Sequence, residues 1–414
     1  MIKPFFTVKK KSAISNARLG EINTIHSQVQ TPAFVGVATK ASLKSLTPKQ
    51  LKEIGTQLAF VNTYHLVAHP GVDLIAKAGG VHQFAKLTLS LMSDSGGFQV
   101  FSLAQNKRQA QVRGEEQPLV VKISADGVIF RSIYDGQKIE FTPEKSIEYQ
   151  HKIGADIMMA FDECTYYPSS QTYAQKAMER THQWLKRCIN YHKTYSPQQH
   201  YPQFLYGVIQ GGAFVNLRQQ SAQFISTQAV DGVAIGGVSV GETKKEMRDQ
   251  VKWVAPYLPS DKPVHLLGVG GFDDILDLVV YGIDTFDCVE PTRLARMGIL
   301  YDWPSIIQYL KKRGLFISTH VSRIGSKSLV KSGNNNFISS DIKKDITQSI
   351  YKTDLSPFNI DCDCYSCRNF TKAYLHHLFK QKELLGYSLA TIHNLTVMEK
   401  YFSLIRELIA QDRL

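Results

Sequence analysis

The stretch Ala155-Asp-Ile-Met-Met-Ala-Phe-Asp-Glu-Cys164 is a short apolar segment that stops abruptly at acidic residues. This pattern is typical of a buried β-strand that ends in a polar corner. Five further segments repeat it: Leu87–Ser93 before Asp94, Phe204–Ile209 before Gln210, Val233–Ile235 before Gly236, His265–Leu267 before Gly268, and Asp284–Phe286 before Asp287. The chain therefore contains a series of strands with polar carboxyl ends.

Helical periodicity separates these strands. Gln171–Tyr191 and Asn216–Gln228 carry apolar residues at i, i+3 and i+4. Alternation of strands and helices predicts parallel βαβ units in an α/β protein, and a chain of 414 residues favours an eight-stranded (β/α)8 TIM barrel. Active sites of such barrels lie at the carboxyl ends of the strands, so we expect the polar corners to meet on one rim.

The run from Ile360 to Cys367 contains Cys362, Cys364 and Cys367, and His393 follows further along the chain. Three thiolates and one imidazole complete a tetrahedral zinc site with no open position, which is the structural kind. This predicts a C-terminal zinc-binding subdomain with one ion per subunit, inserted near the end of the barrel. The alternatives are ordinary buried cysteines and the rival ligands His376 and His377, placed on the next helix.

Charge and composition favour a nucleic-acid partner. The net charge of +12 and the pI near 9.2 suit a polyanion. The remaining cysteines, Cys164, Cys188 and Cys288, are dispersed and indicate no disulfide framework, which favours a reducing cytoplasm. The sequence has no apolar run long enough for a membrane span and no apparent signal peptide.

We divide the chain into four parts: the barrel with the active site (1–300), a basic and partly low-complexity insertion (301–350), the zinc-binding subdomain (351–394), and a C-terminal helix that packs back on the barrel (395–414). The insertion contains eight Lys or Arg and three Asp residues. A solvated insertion and a nucleic-acid contact are both compatible with this composition.

Three aspartates end strand-like segments: Asp94, Asp162 and Asp287. Two carboxylates facing a sugar carbon can perform a double displacement, in which one attacks and the other transfers protons. A third, beside Gln210, suits recognition of a purine edge. The structural alternative is that each aspartate only caps a helix.

Together, the motifs of this sequence resemble those of the tRNA-guanine transglycosylases, the queuine tRNA-ribosyltransferase family. The resemblance covers nearly the whole chain, and its motifs occur in the family's order: Thr31–Phe34, Asn62–Leu66, Ser93–Gln99, Met159–Cys164, Gly207–Gly212, Gly236–Glu242, Phe286–Val289 and the zinc ligands. It implies exchange of guanine at the anticodon wobble position for a 7-deazaguanine base, in queuosine modification, without an organic cofactor.

The resemblance also implies roles for individual residues. Asp287 is expected to be the nucleophile that attacks the ribose, and Asp94 the general acid and base. Asp162 and Gln210 would bind the purine edge. The other expected contacts to the base or ribose are Gly237 and Val238 through the backbone, Phe98 and Leu267 as apolar faces on either side of the base, and Ser95 with Asn62 as supports of Asp94 or the ribose.

The expected macromolecular partner is tRNA of the aspartate, asparagine, histidine and tyrosine type. Arg293 and Arg296 match family arginines that contact the tRNA near the exchanged nucleotide. The sequence departs from the family pattern at Gly271, where many bacterial members have lysine, and at Glu290, an unfavourable charge near RNA unless it is paired, for instance with an arginine. These departures indicate a divergent branch.

The incoming base has two candidates. Cys164 and Val240 match bacterial members that use 7-aminomethyl-7-deazaguanine, which we favour; queuine is the alternative. A homodimer is also expected, because Phe370, Tyr374 and His377 recur at i, i+4 and i+7 like a helix stripe, and the corresponding helix of the family lies at a dimer contact. The alternative for such a stripe is a packed core.

Three competing functions remain. The chain could be an archaeosine-type transglycosylase, against which we count the lack of an appended RNA-binding domain after residue 414. It could be a non-catalytic tRNA-binding partner subunit of the same fold, although such subunits lose the aspartates retained here. A metal-dependent barrel hydrolase would need metal ligands at the strand ends; His65 and His265 alone are insufficient and are more typical of core or supporting histidines.

Overall fold

Eight parallel strands that close into a barrel form the centre of the chain's first unit. The structure is a computed structural model that describes residues 3–98, 120–132, 135–194, 201–315 and 342–414. In these ranges the strands are β1 (Phe6–Lys11), β2 (Arg18–Asn23), β3 (Gln28–Thr31), β4 (Ala33–Val37), β5 (Leu58–Val61), β6 (Ser90–Ser93), β7 (Val120–Ile123), β8 (Val128–Arg131), β9 (Lys138–Phe141), β10 (Ile157–Met159), β11 (Phe204–Ile209), β12 (Gly232–Ile235), β13 (Val264–Leu266), β14 (Thr285–Cys288), β15 (Ile299–Tyr301) and β16 (Lys343–Asp345).

Helices alternate with these strands along most of the chain. They are α1 (Pro48–Ile54), α2 (Thr63–Ala68), α3 (Val72–Lys77), α4 (Gly80–Ala85), α5 (Pro143–Ile153), α6 (Gln171–Thr194), α7 (Val215–Ser226), α8 (Lys244–Val254), α9 (Phe272–Val279), α10 (Glu290–Arg296), α11 (Trp303–Lys312), α12 (Tyr365–Asn369), α13 (Lys372–Lys380) and α14 (Leu384–Ala410). Short 3-10 turns occupy Ala255–Tyr257 and Ser349–Tyr351.

The barrel order is β4-β5-β6-β10-β11-β12-β13-β14, with β14 pairing back onto β4. The predicted (β/α)8 barrel is therefore confirmed. Its interior is filled by buried apolar side chains from successive strands, among them Val35, Phe60, Met92, Met159 and Val208. Because all eight strands run parallel, their carboxyl ends form one rim, and this rim carries the polar corners.

One strand boundary differs from the sequence prediction. Asp287 was expected to follow its strand, but it lies within β14 and pairs in register with Val35. The alternation of a strand directs successive side chains to opposite faces. The position of Asp287 is thus fixed by sheet pairing rather than by a loop.

A buried ion pair lies at the opposite end of the barrel. Arg18 donates to both carboxylate oxygens of Asp284, at 3.0 and 2.6 Å, and Asp284 also accepts from the backbone N–H of Val264 at 2.7 Å. Asp284 directly precedes β14. Charged groups that are paired and hydrogen-bonded in this way hold the strand starts in register.

The second unit consists of Ser12–Ile14, Lys44–Leu46 and Glu290–Leu414. It contains the antiparallel pair β15–β16 and the helices α10 to α14. Of the predicted basic insertion, residues 316–341 lie outside the described residues, while β16 belongs to its described end. The predicted boundary at 394 falls inside α14, and the four-part division of the chain stays a prediction.

Hydrophobicity along the helices bears on membrane association. Among the helices in the described parts of the chain, not one combines the length and the apolar character needed to cross a bilayer.

Candidate active site

Asp94 directly follows β6, and its carboxylate accepts hydrogen bonds from residues at the start of α2. The backbone N–H of Thr63 donates to its Oδ1 at 2.6 Å, and the side-chain amide of Asn62 donates to its Oδ2. Burial raises the pKa of Asp94 to about 7, helped by the nearby charge of Asp162 and opposed by the donated hydrogen bonds. Asn62 and Thr63 thus hold the carboxylate in place, and at this pKa Asp94 can hold or release a proton near neutral pH.

Asp162, after β10, stands at the centre of a buried chain of polar groups. Its Oδ1 accepts from the hydroxyl of Ser95 at 2.8 Å, and its Oδ2 accepts from Nε2 of Gln210 at 2.7 Å. Burial raises the pKa of Asp162, although both hydrogen bonds lower it. Ser95 was expected to support Asp94 or the ribose; in the structure its hydroxyl orients Asp162.

Gly97 leaves room for the hydrogen-bonded polar groups around Asp162. A Cβ at position 97 would lie 2.2 Å from the backbone oxygen of Asp162 and 2.6 Å from its Oδ1. Such contacts are far inside van der Waals distance, so any side chain here would displace the carboxylate. The glycine in the motif after Asp94 is therefore required by close approach of two backbone segments.

Arg218, from α7, is a positioning residue that the sequence did not reveal. Its guanidinium is fully buried and donates to the backbone oxygens of Gly212, Gly236 and Gly237 at 2.7, 2.5 and 2.5 Å. It also donates to Oε1 of Gln250 at 2.6 Å. Burial lowers the pKa of Arg218 to about 10, so it remains charged and fixes the glycine corner after β12.

The glycine corner lies against Gln210. Gly237 has a positive φ of 61°, and a Cβ there would come within 2.4 Å of Oε1 of Gln210. This oxygen is buried and has no hydrogen-bond partner in the described residues. A buried acceptor without a partner is costly, so Gln210 is prepared to accept a hydrogen bond from a ligand. Val238, the next residue, is buried.

The loop beyond Val238 is held by Glu242. Its carboxylate accepts from the backbone N–H groups of Ser239 and Val240, the latter at 2.9 Å. Ser239 has a φ of 61°, a left-handed conformation that costs energy in a residue with a side chain. The carboxylate thus stabilises a strained turn at the rim.

The two apolar side chains predicted to flank a base differ in exposure. Phe98 is 49% exposed. Leu267 follows β13 and packs, partly buried, against the apolar core of the barrel.

Asp287 is the fourth polar group of the rim. Its Oδ1 accepts from the backbone N–H of Gly268 at 2.8 Å and lies 3.2 Å from Nε2 of His265. The His265 side chain is completely buried, and its Nδ1 lies 2.9 Å from Oγ1 of Thr285. His265 was interpreted as a core or supporting histidine, and the structure places it against the predicted nucleophile.

Cys164 is not a nucleophile candidate in this state. Burial, together with the charge of Asp162, raises the pKa of its thiol well above the ordinary value. The reactive form of cysteine is the thiolate. Cys164 is therefore a small, buried and uncharged side chain near Asp162.

Cys362, Cys364, Cys367 and His393 form the predicted metal group in the second unit. The three Sγ atoms lie 3.7, 3.6 and 3.3 Å from Nδ1 of His393, and all four residues are buried. Zinc–ligand bonds of about 2.0 to 2.3 Å in a tetrahedron imply separations of roughly 3.6 Å. Nε2 of His393 lies 2.8 Å from the backbone oxygen of Tyr301, which fixes Nδ1 as the free ligand atom. The group fits a metal ion.

A second group of potential ligands, His26, His82 and Asp156, does not fit a metal. Nδ1 of His82 lies 3.2 Å from the oxygen of Gly154, while Nε2 lies 3.2 Å from the oxygen of Leu89 and from Asp156. Both nitrogens of His82 thus already lie within hydrogen-bond distance of oxygen atoms of the protein. The rings of His26 and His82 also stack at 3.5 Å. This cluster is a hydrogen-bonded support below β10.

Comparison with known proteins shows the family of this chain. The family model described as queuine tRNA-ribosyltransferase matches residues 12–414. The chain belongs to the queuine tRNA-ribosyltransferase family. Curated relatives of that name include proteins from Thermoanaerobacter pseudethanolicus (42% identical over 98% of this chain and 93% of the relative), Synechococcus elongatus (40%, over 99% and 92%) and Herpetosiphon aurantiacus (40%, over 99% and 90%).

In this member of the queuine tRNA-ribosyltransferase family, the two arginines predicted to bind RNA lie on α10. Arg293 is exposed, and Arg296 is half-buried and donates to the backbone oxygen of Thr292 at 2.9 Å. Burial and the charge of Arg293 lower the pKa of Arg296. Glu290, the departure from the family pattern, is paired: Nζ of Lys343 lies 3.0 Å from its Oε1.

The residues of the predicted aromatic stripe do not all lie on one helix. Phe370 precedes α13 and caps the end of α12, so it is not on the helix of Tyr374 and His377. The three rings nevertheless stack in sequence, with centroid separations of 5.3 and 6.5 Å. A turn between two helices, rather than helical periodicity, aligns them.

Proposed function

We propose that this chain is an active tRNA-guanine transglycosylase, a pentosyltransferase that exchanges guanine at the wobble position for a 7-deazaguanine in queuosine modification. The observation that carries this proposal is the pair of carboxylates, Asp94 and Asp287, at the carboxyl ends of two strands of one barrel. Their surroundings prepare one for proton transfer and the other for attack. Its relatives are named queuine tRNA-ribosyltransferases, which supports the same activity.

Asp287 is the nucleophile in this proposal. One carboxylate oxygen attacks C1′ of the ribose, the bond from C1′ to guanine breaks, and the bonding electrons pass to guanine. Asp94 donates a proton to the departing base. The product of this half-reaction is an ester between Asp287 and the tRNA.

The second half-reaction reverses these roles. Asp94, now a carboxylate, removes a proton from the incoming base, whose ring nitrogen attacks C1′ and displaces Asp287. A pKa of about 7 suits a group that must act both as acid and as base at neutral pH. Two inversions retain the configuration of the sugar carbon.

The base lies against the hydrogen-bonded side chains of Asp162 and Gln210. The carboxylate accepts from ring and amino N–H groups, and the amide of Gln210, which has an unused buried oxygen, completes the purine edge. Backbone groups of Gly237 and Val238 contribute further contacts, because Arg218 holds that corner rigid. Phe98 and Leu267 flank the base, and apolar faces there exclude water.

The base must leave the anticodon loop to reach a barrel rim, which is easier in a loop than in a duplex. The proposed substrates are the tRNAs for aspartate, asparagine, histidine and tyrosine, and the proposed compartment is the cytoplasm. Arg293 and Arg296 contact the RNA near the exchanged nucleotide, since guanidinium groups suit phosphate and carbonyl oxygens. Lys343 pairs with Glu290 and so offsets the negative charge of Glu290 near these arginines.

The favoured incoming base is 7-aminomethyl-7-deazaguanine. Cys164 is a buried wall beside Asp162, and Val240 is fixed by Glu242, so both limit the room for a larger substituent. Queuine, with its cyclopentenediol, is the alternative. Incubating the enzyme with unmodified tRNA and each base separately tests this; incorporation of queuine alone would contradict the preference.

The Cys3His group holds one structural zinc ion per subunit. All four places of a tetrahedron are filled by protein, so the ion would link α12, α14 and the segment before α12 and take no part in the exchange. Removing zinc with a chelator should lower the thermal midpoint and release one equivalent of zinc per chain. Unchanged stability with full release would contradict a structural role.

A homodimer is the proposed assembly. The second unit exposes large apolar side chains that a partner subunit could cover, including Leu355, Ile360 and Leu384 at 77%, 83% and 77% exposure. Light scattering at micromolar concentration should give twice the chain mass, and Ile360→Glu should reduce it if this surface is used. A monomeric mass for the unsubstituted protein would exclude the dimer.

The deciding experiment is exchange of radiolabelled guanine into a tRNA with a guanine-uracil anticodon, with Asp287→Ala as the paired variant. We expect incorporation by the unsubstituted enzyme and none by the variant, with tRNA binding kept in both. Bound tRNA without exchange by the unsubstituted enzyme would instead favour the second candidate, a non-catalytic tRNA-binding partner subunit.

A further inference from the structure

His265 lies where it can control the nucleophile. Its ring is completely buried in β13, and Nε2 lies 3.2 Å from Oδ1 of Asp287. In the described part of the chain this nitrogen has no hydrogen bond of ordinary geometry. A buried polar atom without a partner is costly, and Asp287 is the group that it faces.

The other side of the ring contacts a hydroxyl that suits a proton on Nε2. Nδ1 lies 2.9 Å from Oγ1 of Thr285, which is itself completely buried. A threonine hydroxyl can donate to Nδ1, and a neutral imidazole then carries its proton on Nε2. In that tautomer His265 directs an N–H toward Oδ1 of Asp287.

Asp287 receives both of its contacts on one oxygen. The backbone N–H of Gly268 donates to Oδ1 at 2.8 Å, and His265 faces the same atom. Within the described residues Oδ2 has no such contact. The carboxylate is therefore oriented, with one oxygen anchored and the other left for attack.

We infer that His265 is a positioning residue of the exchange reaction, which anchors Oδ1 of Asp287 so that Oδ2 attacks the ribose and which promotes release of the carboxylate in the second half-reaction. This inference rests on the proposed function. In the ester, Oδ1 is a neutral carbonyl oxygen and a weaker acceptor than in the free carboxylate. The N–H of His265 therefore stabilises the carboxylate more than the ester.

The direction of the effect follows from that difference. When the incoming base attacks C1′, the bond from C1′ to Oδ2 breaks and its electrons return to Asp287. Negative charge then grows on both carboxylate oxygens, and the donors at Oδ1 stabilise it. Without His265 this step is slower, so the covalent enzyme–tRNA ester accumulates although turnover falls.

The test compares His265→Leu with the unsubstituted enzyme on a tRNA with a guanine-uracil anticodon. The ester is measured on a denaturing gel, and its discharge is timed after excess guanine is added. We expect discharge to slow by at least about tenfold, because the developing carboxylate loses a donor that faces Oδ1. The fraction of enzyme held as ester should rise, while tRNA affinity stays within about twofold.

Three further variants separate positioning from packing. His265→Gln keeps an N–H of similar reach and should restore much of the discharge rate, and Thr285→Val, which removes the partner of Nδ1, should give an intermediate loss. His151→Leu is the matched control, because His151 is also a buried barrel histidine but contacts Gln203 and His192 instead. It should leave discharge unchanged.

The outcomes are distinguishable. A lower ester fraction in His265→Leu, or discharge as fast as in the unsubstituted enzyme, overturns the role of His265 while leaving the proposed function standing. An unsubstituted enzyme that forms no ester and exchanges no guanine overturns both. If His265→Leu does not fold, as judged by circular dichroism, His265→Gln and Thr285→Val decide the question by the same two measurements.

Discussion

Asp94 and Asp287 are identical side chains at the carboxyl ends of β6 and β14, and their surroundings differ. Both oxygens of Asp94 accept hydrogen bonds, from Thr63 and Asn62, and burial raises its pKa to about 7. Asp287 is anchored through Oδ1 alone. In the proposed reaction it is therefore the surroundings, rather than the residue type, that distinguish the proton carrier from the nucleophile.

Asp287→Asn should have the largest effect, because an amide oxygen is a poor nucleophile. We expect guanine exchange to fall by at least about a thousandfold and the covalent ester to vanish from denaturing gels. Binding of tRNA, measured by filter retention, should persist. An ester that survives this substitution would assign the attack to another residue and remove the contrast between the two carboxylates.

Asp94→Asn should slow exchange by roughly a hundredfold to ten-thousandfold, the usual contribution of a general acid and base. Unlike Asp287→Asn, it should still form some ester when incubated with tRNA for a long time, because the nucleophile is intact. The measurement is the single-turnover rate of ester formation. Complete loss of ester formation in both variants would contradict the assignment of different roles to the two carboxylates.

The two half-reactions of the unsubstituted enzyme should respond to pH in opposite directions. Ester formation needs protonated Asp94, so its rate should fall as pH rises through about 7; discharge by guanine needs the carboxylate, so its rate should rise through the same range. Stopped single-turnover measurements from pH 5.5 to about 8.5 check this. Parallel profiles would contradict the role of Asp94 in both steps.

Asp162→Asn should move these profiles to lower pH. The charge of Asp162 raises the pKa of Asp94, so its removal should lower the pKa of Asp94 and shift the midpoint of both transitions downward. Weaker binding of the base should raise its KM by about tenfold or more, because a hydrogen bond to a charged group is lost. Unshifted midpoints would mean that the two carboxylates do not interact.

Protein stability should show the smallest effect. The folded-state pKa of Asp94 lies above its unfolded value, so the folded protein binds more protons between those values, and stability is lost as pH rises toward 7. Asp94→Asn should therefore raise the thermal midpoint at pH 8 more than at pH 4, by roughly 1 to 3 °C. Asp287→Asn is the matched comparison, and calorimetry at both pH values provides the measurement.

Much of the barrel could be predicted because its strands carry their own signals. Apolar runs that end at Asp94, Asp162 and Gln210 identify both the strands and the rim, and the spacing of the cysteines identifies the metal group without reference to the fold. These features are local in sequence. Side chains that face a shared rim need only the barrel topology to bring them together.

Arg218 shows what local signals miss. In sequence it is a basic residue on a helix, which is typical of a solvated face. Its partners are backbone oxygens of Gly212, Gly236 and Gly237, and backbone oxygens leave no trace in residue identity. The role of His265 was hidden for a similar reason, since its neighbour Asp287 comes from the adjacent strand.

The stripe near the zinc group illustrates a third limit. Spacing at i, i+4 and i+7 placed Phe370 on one helix with Tyr374, whereas Thr371 caps the start of α13 and Phe370 lies before it. A capping residue changes the backbone direction without interrupting the aromatic stacking. Periodicity alone therefore gave the right neighbours and the wrong element.

Gly97 limits how the substrate range of this enzyme can be broadened by laboratory evolution. Because even a methyl group at that position would collide with the backbone of Asp162, libraries that randomise the whole loop after Asp94 would consist largely of inactive clones. Variation confined to Cys164 and Val240 leaves the contact between the two loops intact. Designed selections for enlarged deazapurines should begin at those two codons.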